Sequence, residues 1–392
     1  MANHQSALCH AHIVGWGMAV PEHVLTNGEL TALVDTSDEW IRQRTGIAER
    51  HIAGEGETTS KLSLRAARAA LEVADLDPSR LDLIIVATVT PDHVFPATAC
   101  LVQDALGAKK AAAFDLSAGC SGFVYGLSVA AGLLAADRYR NALVIGAETL
   151  SRITDWTDRS TCVLFGDGAG AVVLQASHTS GGILSSVLGA DGSGGELLML
   201  PAGGSAHPAT AETVSERQHF IQMQGQQVFR FATRIMAEAA RQVLDQAGLK
   251  VEDVSLFVPH QANDRIIQAA ARALGVPEDR MFSNLERYGN TSAASIPIAL
   301  CEAIERGKVK RDDLIVCAGF GAGLTWAAVA IRWSLPLPVP APSRRMTTRR
   351  WLHYRWARYR SWWRRLWRKV DAHLFQILYD QDGKRKRRGR DV

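Results

Sequence analysis

The 392-residue chain is 47% apolar and 21% charged, with 33 Gly and 13 Pro. That is enough for one large or two medium domains with a full core, and it excludes a disordered chain or a disulfide-stapled mini-protein. The formal charge of +4 conceals a division, because residues 335–392 hold 17 Lys/Arg against 4 Asp, a surplus of 13, which leaves residues 1–334 at −9.

Taken from the N-terminus, MANHQSALCHAHIVGWG runs straight into a strand without a basic-then-apolar leader, so no secretion signal is expected. Strand-like apolar runs then alternate with Ala-rich helical runs, the pattern of an α/β fold whose sheets are covered on both faces. A helix over residues 61–74 precedes a strand over 81–88. Residues 116–136 carry no charge over about the length of a bilayer crossing. The Ser and Gly cluster at their start and the charges bordering them predict a strand end, a turn and a buried helix instead.

A strand over 141–148 closes this first unit. GDGAGA at 166–171 meets G-x-G-x-x-A, but strand-like VVLQAS follows it where a nucleotide site needs a helix. It is expected to be two strands joined through glycines that permit close backbone packing. A second unit repeats the first, with a helix over 227–247 and strands over 254–260 and 313–321. Cys120 lies 32 residues past the first unit's strand, Asn290 lies 30 past the second's, and the units are about 170 residues apart. The repeat predicts a duplicated α/β unit with facing halves, bounded at 1–178 and 179–334. The proline-rich LPLPVPAPS at 335–343 reads as a semi-rigid linker opening a tail over 335–392.

The six cysteines, Cys9, Cys100, Cys120, Cys162, Cys301 and Cys317, form no CxxC pair and no His cluster. Neither a zinc site nor a disulfide framework is expected, and a reducing cytoplasm fits. Cys120 stands in FDLSAGCSGF, where a strand stops at a small-residue turn and an uncharged helix begins. A thiol there lies at or near a helix N-terminus, which favours thiolate and lowers its pKa. The other five are expected in the core.

His260 ends a strand and opens QANDR, projecting from the strand's carboxyl end into a cleft. Asn290 sits in RYGNTSAAS, a tight turn before a helix. Singly, His260 is as apt to cap a helix as to catalyse, and Asn290 is a common cap or turn residue. With Cys120 they form the three-part set a carbon–carbon condensing site requires. GFGAGLTW at 319–326 lacks the Lys of a P-loop and is placed to supply a backbone N–H.

In order along the chain, TSDEWIRQRTGIAERH, DLSAGCSGF, TDRSTCVLFGDGAGA, PHQANDRII, RYGNTSAAS and GFGAGLTW closely resemble the β-ketoacyl-acyl carrier protein synthase III family of the thiolase superfamily, over about residues 10–333. The resemblance implies a thiolase-like, duplicated five-layer α-β-α-β-α fold, usually a homodimer. It also implies a two-step reaction that initiates fatty-acid or related acyl chains, with no metal or cofactor beyond the substrates. Cys120 would take an acyl group from acyl-CoA. His260 and Asn290 would then promote decarboxylation of malonyl-acyl carrier protein by donating to the thioester oxygen as enolate charge develops.

By the same resemblance, backbone N–H groups of Cys120 and Ala322 hold the tetrahedral oxyanion, although many relatives carry Gly at the latter position. Trp40 and Arg159 sandwich the adenine of coenzyme A, and Thr36, Arg44, Asn263, Gly225 and Phe229 line the pantetheine tunnel. Phe95 closes the partner's acyl pocket, and Arg230, Arg265 and Arg272 dock the acidic carrier protein. A secondary-metabolite relative using another acyl donor or acceptor is the alternative. A non-catalytic scaffold would lack Cys, His or Asn, and all three are present.

The tail has no counterpart in the typical family member. On a helical wheel Leu352, Trp356, Tyr359, Trp362, Trp363, Leu366, Trp367, Val370, Leu374 and Ile377 share one half, and Arg358, Arg364, Arg365 and Arg368 lie opposite. Such a basic amphipathic helix suits an anionic membrane, a nucleic acid, or the acidic body and its carrier protein. The shared aromatic and aliphatic face favours the membrane, with a helix over about 349–379 attached at the inner face. The terminal KRKRRGR reads as a charged end.

Overall fold

The computed structural model describes residues 9–335 and 344–378. Two sheets carry the body. The first holds β1 (His10–Ala19), β2 (Leu83–Ala87), β3 (Ala112–Leu116), β4 (Asn141–Thr149) and β5 (Asp167–Ser177), in the order β1-β5-β4-β2-β3. The second holds β6 (Gly182–Ala190), β7 (Leu256–Pro259), β8 (Leu314–Gly321) and β9 (Thr325–Arg332), in the order β6-β9-β8-β7.

The two match strand for strand. Antiparallel β1/β5 and β5/β4 followed by parallel β4/β2 correspond to antiparallel β6/β9 and β9/β8 followed by parallel β8/β7. Only the edge differs: the parallel pair β2/β3 is answered by a single parallel bridge, Phe257 to Met281. The expected duplication is therefore present in the topology.

Helices supply the other three layers. α1 (Asp38–Thr45) lies outside these layers with its Ile41 packed in one core with Ile267, capped by the Ser37 side chain and closed by left-handed Gly46. α2 (Thr59–Val73) and α3 (Thr98–Leu106) pack on the outer face of the first sheet. α4 (Gly122–Ala135) and α7 (Ser295–Glu305) lie between the sheets, where Phe123, Leu127, Ile296 and Leu300 share one core with Val144 and Val258. α5 (Gly225–Gln246) and α6 (Asp264–Leu274) cover the second sheet. α4 has no charged residue, so only an interior position satisfies its whole circumference.

Boundaries fall one or two residues from their expected places where a cap decides them. The helix expected over 61–74 starts at Thr59 because the Thr58 hydroxyl accepts from the Lys61 N–H. GDGAGA corrects the sequence reading: it is one continuous stretch of β5 after Gly166, not a junction of two strands. Close backbone packing does hold, since a Cβ on Gly170 would lie 2.7 Å from the Ile298 backbone nitrogen. Cys100 is a second correction, exposed rather than in the core with Cys9, Cys162, Cys301 and Cys317.

The tail helix, α8 (Arg344–Leu378), begins before its expected start, and Tyr379 and residues 384–390 lie outside the described residues. It docks on the body. Arg350 pairs with Asp75, Arg365 reaches Asp104 at 3.0 Å, and the Ser361 hydroxyl donates to Asp104 at 2.5 Å. The Arg68 guanidinium stacks 4.5 Å over the Tyr354 ring, and Ala357 is buried against Gly107. The packed face thus carries Arg350, Tyr354, Ala357 and Ser361, and the tryptophan face points to solvent.

Candidate active site

Cys120 is held by a turn that few residues could build. After β3 ends at Leu116, Gly119–Ser121 form a 3-10 turn and α4 starts at Gly122. Hydroxyls of Ser121 and Thr325 both donate to the Ala118 carbonyl, at 2.7 and 2.8 Å, tying the turn to β9. Gly321 at the end of β8 presses on it so closely that a Cβ there would lie 2.3 Å from the Cys120 nitrogen. A Cβ on Gly119, whose φ is +54°, would lie 2.6 Å from the Ala322 nitrogen. The backbone nitrogens of Cys120 and Ala322 therefore share one corner.

The thiol differs from its sequence-based expectation. Burial pushes its pKa up to about 12, the Ser292 hydroxyl beside it pulls the other way, and the Glu148 charge raises it further. The cost of burying a charge outweighs the pull of the hydroxyl.

His260 follows β7 immediately. Its Nδ1 lies 2.6 Å from the Ser295 hydroxyl at the start of α7, whereas Nε2 is buried without a partner among the described residues. Burial lowers its pKa to about 3, so the imidazole is neutral. Asn290 presents its Oδ1 to the Ser292 N–H at 2.9 Å, which leaves its amide NH₂ without a hydrogen bond among the described residues. Ser292 has a φ of +47°, a strained conformation for a side-chain-bearing residue. His260 and Cys120 meet across Gly319, where a Cβ would lie 3.3 Å from the His260 Cβ and 4.0 Å from the Cys120 carbonyl oxygen.

Glu148, at the end of β4, escaped the sequence reading. It is fully buried, accepts from Ser292 at 3.1 Å, Thr88 at 3.2 Å, Thr90 at 2.5 Å and the Val89 N–H at 3.2 Å, and burial raises its pKa to about 7. A lone Glu between Ala147 and Thr149 at the end of an apolar strand carries no periodic signal. Arg50, also buried, donates to Asn27 Oδ1 and to the Val163 carbonyl, both at 2.9 Å, and braces the loop before Asn290.

Cys120, Ser292 and Ala322 line a cavity of about 160 Å³ whose remaining wall is apolar, including Leu150, Ile153, Phe165, Leu198 and Ile221. The sequence reading named none of these wall residues, because they come from four separated segments. Phe95 is not among them within this chain; it is 84% exposed, next to Val94 at 90%.

Most of the residues expected to bind coenzyme A neighbour one another. The guanidiniums of Arg159 and Arg44 lie 4.9 and 5.6 Å from the Trp40 ring centre. Asn263 caps α6 with its Oδ1 and donates from Nδ2 to the Arg44 carbonyl at 3.0 Å. Arg265, next along α6, stacks 5.4 Å over Phe229 on α5, whose first residue is Gly225. The Thr36 hydroxyl oxygen is buried without a partner among the described residues. Arg230, Arg265 and Arg272 are all exposed.

Known proteins resemble the chain in sequence and in fold. The family profile described as 3-Oxoacyl-[acyl-carrier-protein (ACP)] synthase III matches residues 114–192, and its C-terminal counterpart matches 244–333. The chain is 57% identical to a β-ketoacyl-[acyl-carrier-protein] synthase III of Desulfitobacterium hafniense, over 82% of this chain and 97% of that protein. It is 58% identical to the same enzyme of Symbiobacterium thermophilum, over 82% and 97%. Among solved structures, 3-oxoacyl-[acyl-carrier-protein] synthase III from Aquifex aeolicus superposes with a TM-score of 0.76 at 52% identity, over 82% of this chain and 99% of that one. The priming β-ketosynthase of the R1128 polyketide pathway superposes with a TM-score of 0.78 at 38% identity, over 83% and 97%.

Proposed function

Because the chain belongs to the 3-oxoacyl-[acyl-carrier-protein] synthase III family of thiolase-like condensing enzymes, we propose that it divides its reaction between Cys120 and the pair His260 and Asn290. The reaction is the condensation of acyl-CoA with malonyl-acyl carrier protein that initiates fatty-acid synthesis.

The observation that carries the assignment is the placement of Cys120 at an apolar cavity, with Ala322 beside it and the unpartnered Nε2 of His260 close behind. In the first half-reaction the Cys120 sulfur attacks the acyl-CoA carbonyl. A thiol with a pKa near 12 must lose its proton as it attacks, and a neutral imidazole with a pKa near 3 is a poor acceptor. Glu148, near 7, is matched to the task through Ser292. The proton then passes to the departing coenzyme A sulfur. Backbone N–H groups of Cys120 and Ala322 hold the tetrahedral oxyanion.

In the second half-reaction the malonyl carboxylate leaves as carbon dioxide and its electron pair becomes an enolate. Ser295 accepts from the Gln261 N–H and can give its own hydrogen to His260 Nδ1, which leaves Nε2–H as a donor. That donor and the Asn290 NH₂ stabilise the enolate oxygen. The carbanion attacks the acyl-Cys120 carbonyl, and the released thiolate takes up one proton.

Trp40 and Arg159 form the adenine site in this reading, with Arg159 swinging off the ring to admit the base. The pantetheine passes Thr36, Arg44, Asn263, Gly225 and Phe229, and the acidic carrier protein meets Arg230, Arg265 and Arg272. A homodimer across the open edge of β3 completes the site, bringing Phe95 of each chain to its partner's cavity; the exposed Val94 and Phe95 support this arrangement. The cytoplasm is the compartment of action. Mass spectrometry of Cys120 after incubation with a panel of acyl-CoA thioesters tests the nucleophile and the primer together. An adduct on another cysteine, or none, overturns the assignment.

A further inference from the structure

The face that α8 turns outward lies beyond the family match: the C-terminal family profile ends at residue 333, before α8 begins. Along it Trp356, Tyr359, Trp362, Trp363, Leu366 and Trp367 are each more than a third exposed. Tyr359 lies 6.0 to 6.3 Å from three of these tryptophan rings, making one continuous aromatic surface. A patch of this extent on a folded protein marks an interaction site.

A second feature adjoins it. Lys109 from the body and Arg360 and Arg364 from α8 line a cavity of about 80 Å³ where helix and body meet. None of the three side chains is in an ion pair among the described residues, although Asp104 lines the same cavity, because Arg365 and Ser361 engage that carboxylate. The Arg360 Nε is buried with no partner among the described residues. Arg360 and Arg364 push the Lys109 ammonium below its ordinary pKa, the mark of cations without a counter-ion. The same two arginines border the groove lined by Trp356, Trp363 and Trp367, so the cationic pocket and the aromatic face are continuous.

We propose that α8 lays the protein on an anionic lipid surface, its aromatic face entering the headgroup boundary while Lys109, Arg360 and Arg364 together hold a lipid phosphate. Tryptophan is the residue that suits that boundary, and the basic edge supplies the attraction to anionic headgroups. Asp371 is the only carboxylate on α8. No helix of the described residues is long and apolar enough to cross a membrane, so α8 lies along it. A second copy fits less well, because an isologous pairing about the middle of α8 would bring Arg360 and Arg364 against their own copies. A nucleic acid would leave the aliphatic Leu352, Leu366 and Val370 of the same face unused.

The test is sedimentation of the full chain with vesicles of phosphatidylglycerol and phosphatidylcholine mixed equally, and with pure phosphatidylcholine. Binding to the mixed vesicles alone, with a blue shift of tryptophan emission, is expected. The triple variant Lys109→Ala, Arg360→Gln, Arg364→Gln leaves the Asp75 and Asp104 contacts of α8 intact and should keep condensing activity. It should lose on the order of 100-fold in partitioning, each of the three cations near an anionic surface being worth roughly five-fold. A second variant, Trp363→Ala with Trp367→Ala, should lose binding with its cations in place. Any one of four results overturns the proposal: equal binding to both vesicle types or to neither; undiminished binding by the triple variant; tighter binding to an oligonucleotide than to the mixed vesicles; or growth in mass with concentration in place of lipid binding.

Discussion

Ser292 donates its hydroxyl to the buried Glu148 carboxylate at 3.1 Å. The same hydroxyl lies beside the Cys120 thiol, so a carboxylic acid that titrates near neutrality is linked to the nucleophile through one side chain.

Glu148→Gln keeps the size and hydrogen-bonding capacity of the side chain but removes the proton acceptor. Acylation of Cys120 should slow on the order of 10²- to 10³-fold, while carbon dioxide release by enzyme already acylated stays near wild type. Rapid-quench measurement of the two steps checks this. The inflection near pH 7 in the acylation profile should also vanish, which a purely structural role would not produce.

The same residue sets a pH dependence of stability. Unfolded, Glu148 ionises above its ordinary value of 4.5; folded, it ionises only above about 7. Between these values the folded state holds the extra proton, so this contribution to stability is full below about 4.5, falls as pH rises, and is lost above about 7. Asp167, also raised by burial, acts in the same direction. Urea midpoints at about pH 5 and pH 8 should therefore fall less in Glu148→Gln than in wild type.

His260→Ala and Asn290→Ala should each cost on the order of 10²- to 10³-fold in malonyl decarboxylation, the usual loss for one oxyanion donor. Self-acylation should be affected far less. Equal losses in both steps would assign the pair to the thiol instead of the enolate.

Gly321→Ala puts a Cβ 2.3 Å from the Cys120 nitrogen. Neither backbone can yield without moving the turn, so condensing activity should be lost even in protein that retains its far-ultraviolet circular dichroism. A Gly248→Ala control tests a left-handed glycine with nothing within 4 Å of its Cβ, where activity should survive.

Trp40→Ala removes the ring on which Arg159 rests at 4.9 Å. Stacking of this kind contributes about 1 kcal/mol, so KM for acyl-CoA should rise roughly five-fold with kcat unchanged, the pattern of lost uniform binding.

Much of the body was legible from local pattern. Alternating apolar runs specify strands, the uncharged stretch at Gly122–Ala135 specifies an interior helix, and small residues around Cys120 mark a turn open to a substrate. These signals act over a few residues, so periodicity and turn chemistry record them, and the ordered motifs identify the family. The state of each group was a different matter. Cys120 stands at a helix start as its sequence says, yet its pKa rises because β8 and the Glu148 carboxylate close around it from distant parts of the chain. Burial sums contributions over all directions, and no segment carries that sum. The tail shows the same limit: the wheel sorts its apolar side from its basic side, but which side meets the body was decided by Asp75, Asp104 and Gly107, some 250 residues earlier. Long-range charge pairing and a close helix crossing turned the aromatic face outward, and only the tertiary structure contains that choice.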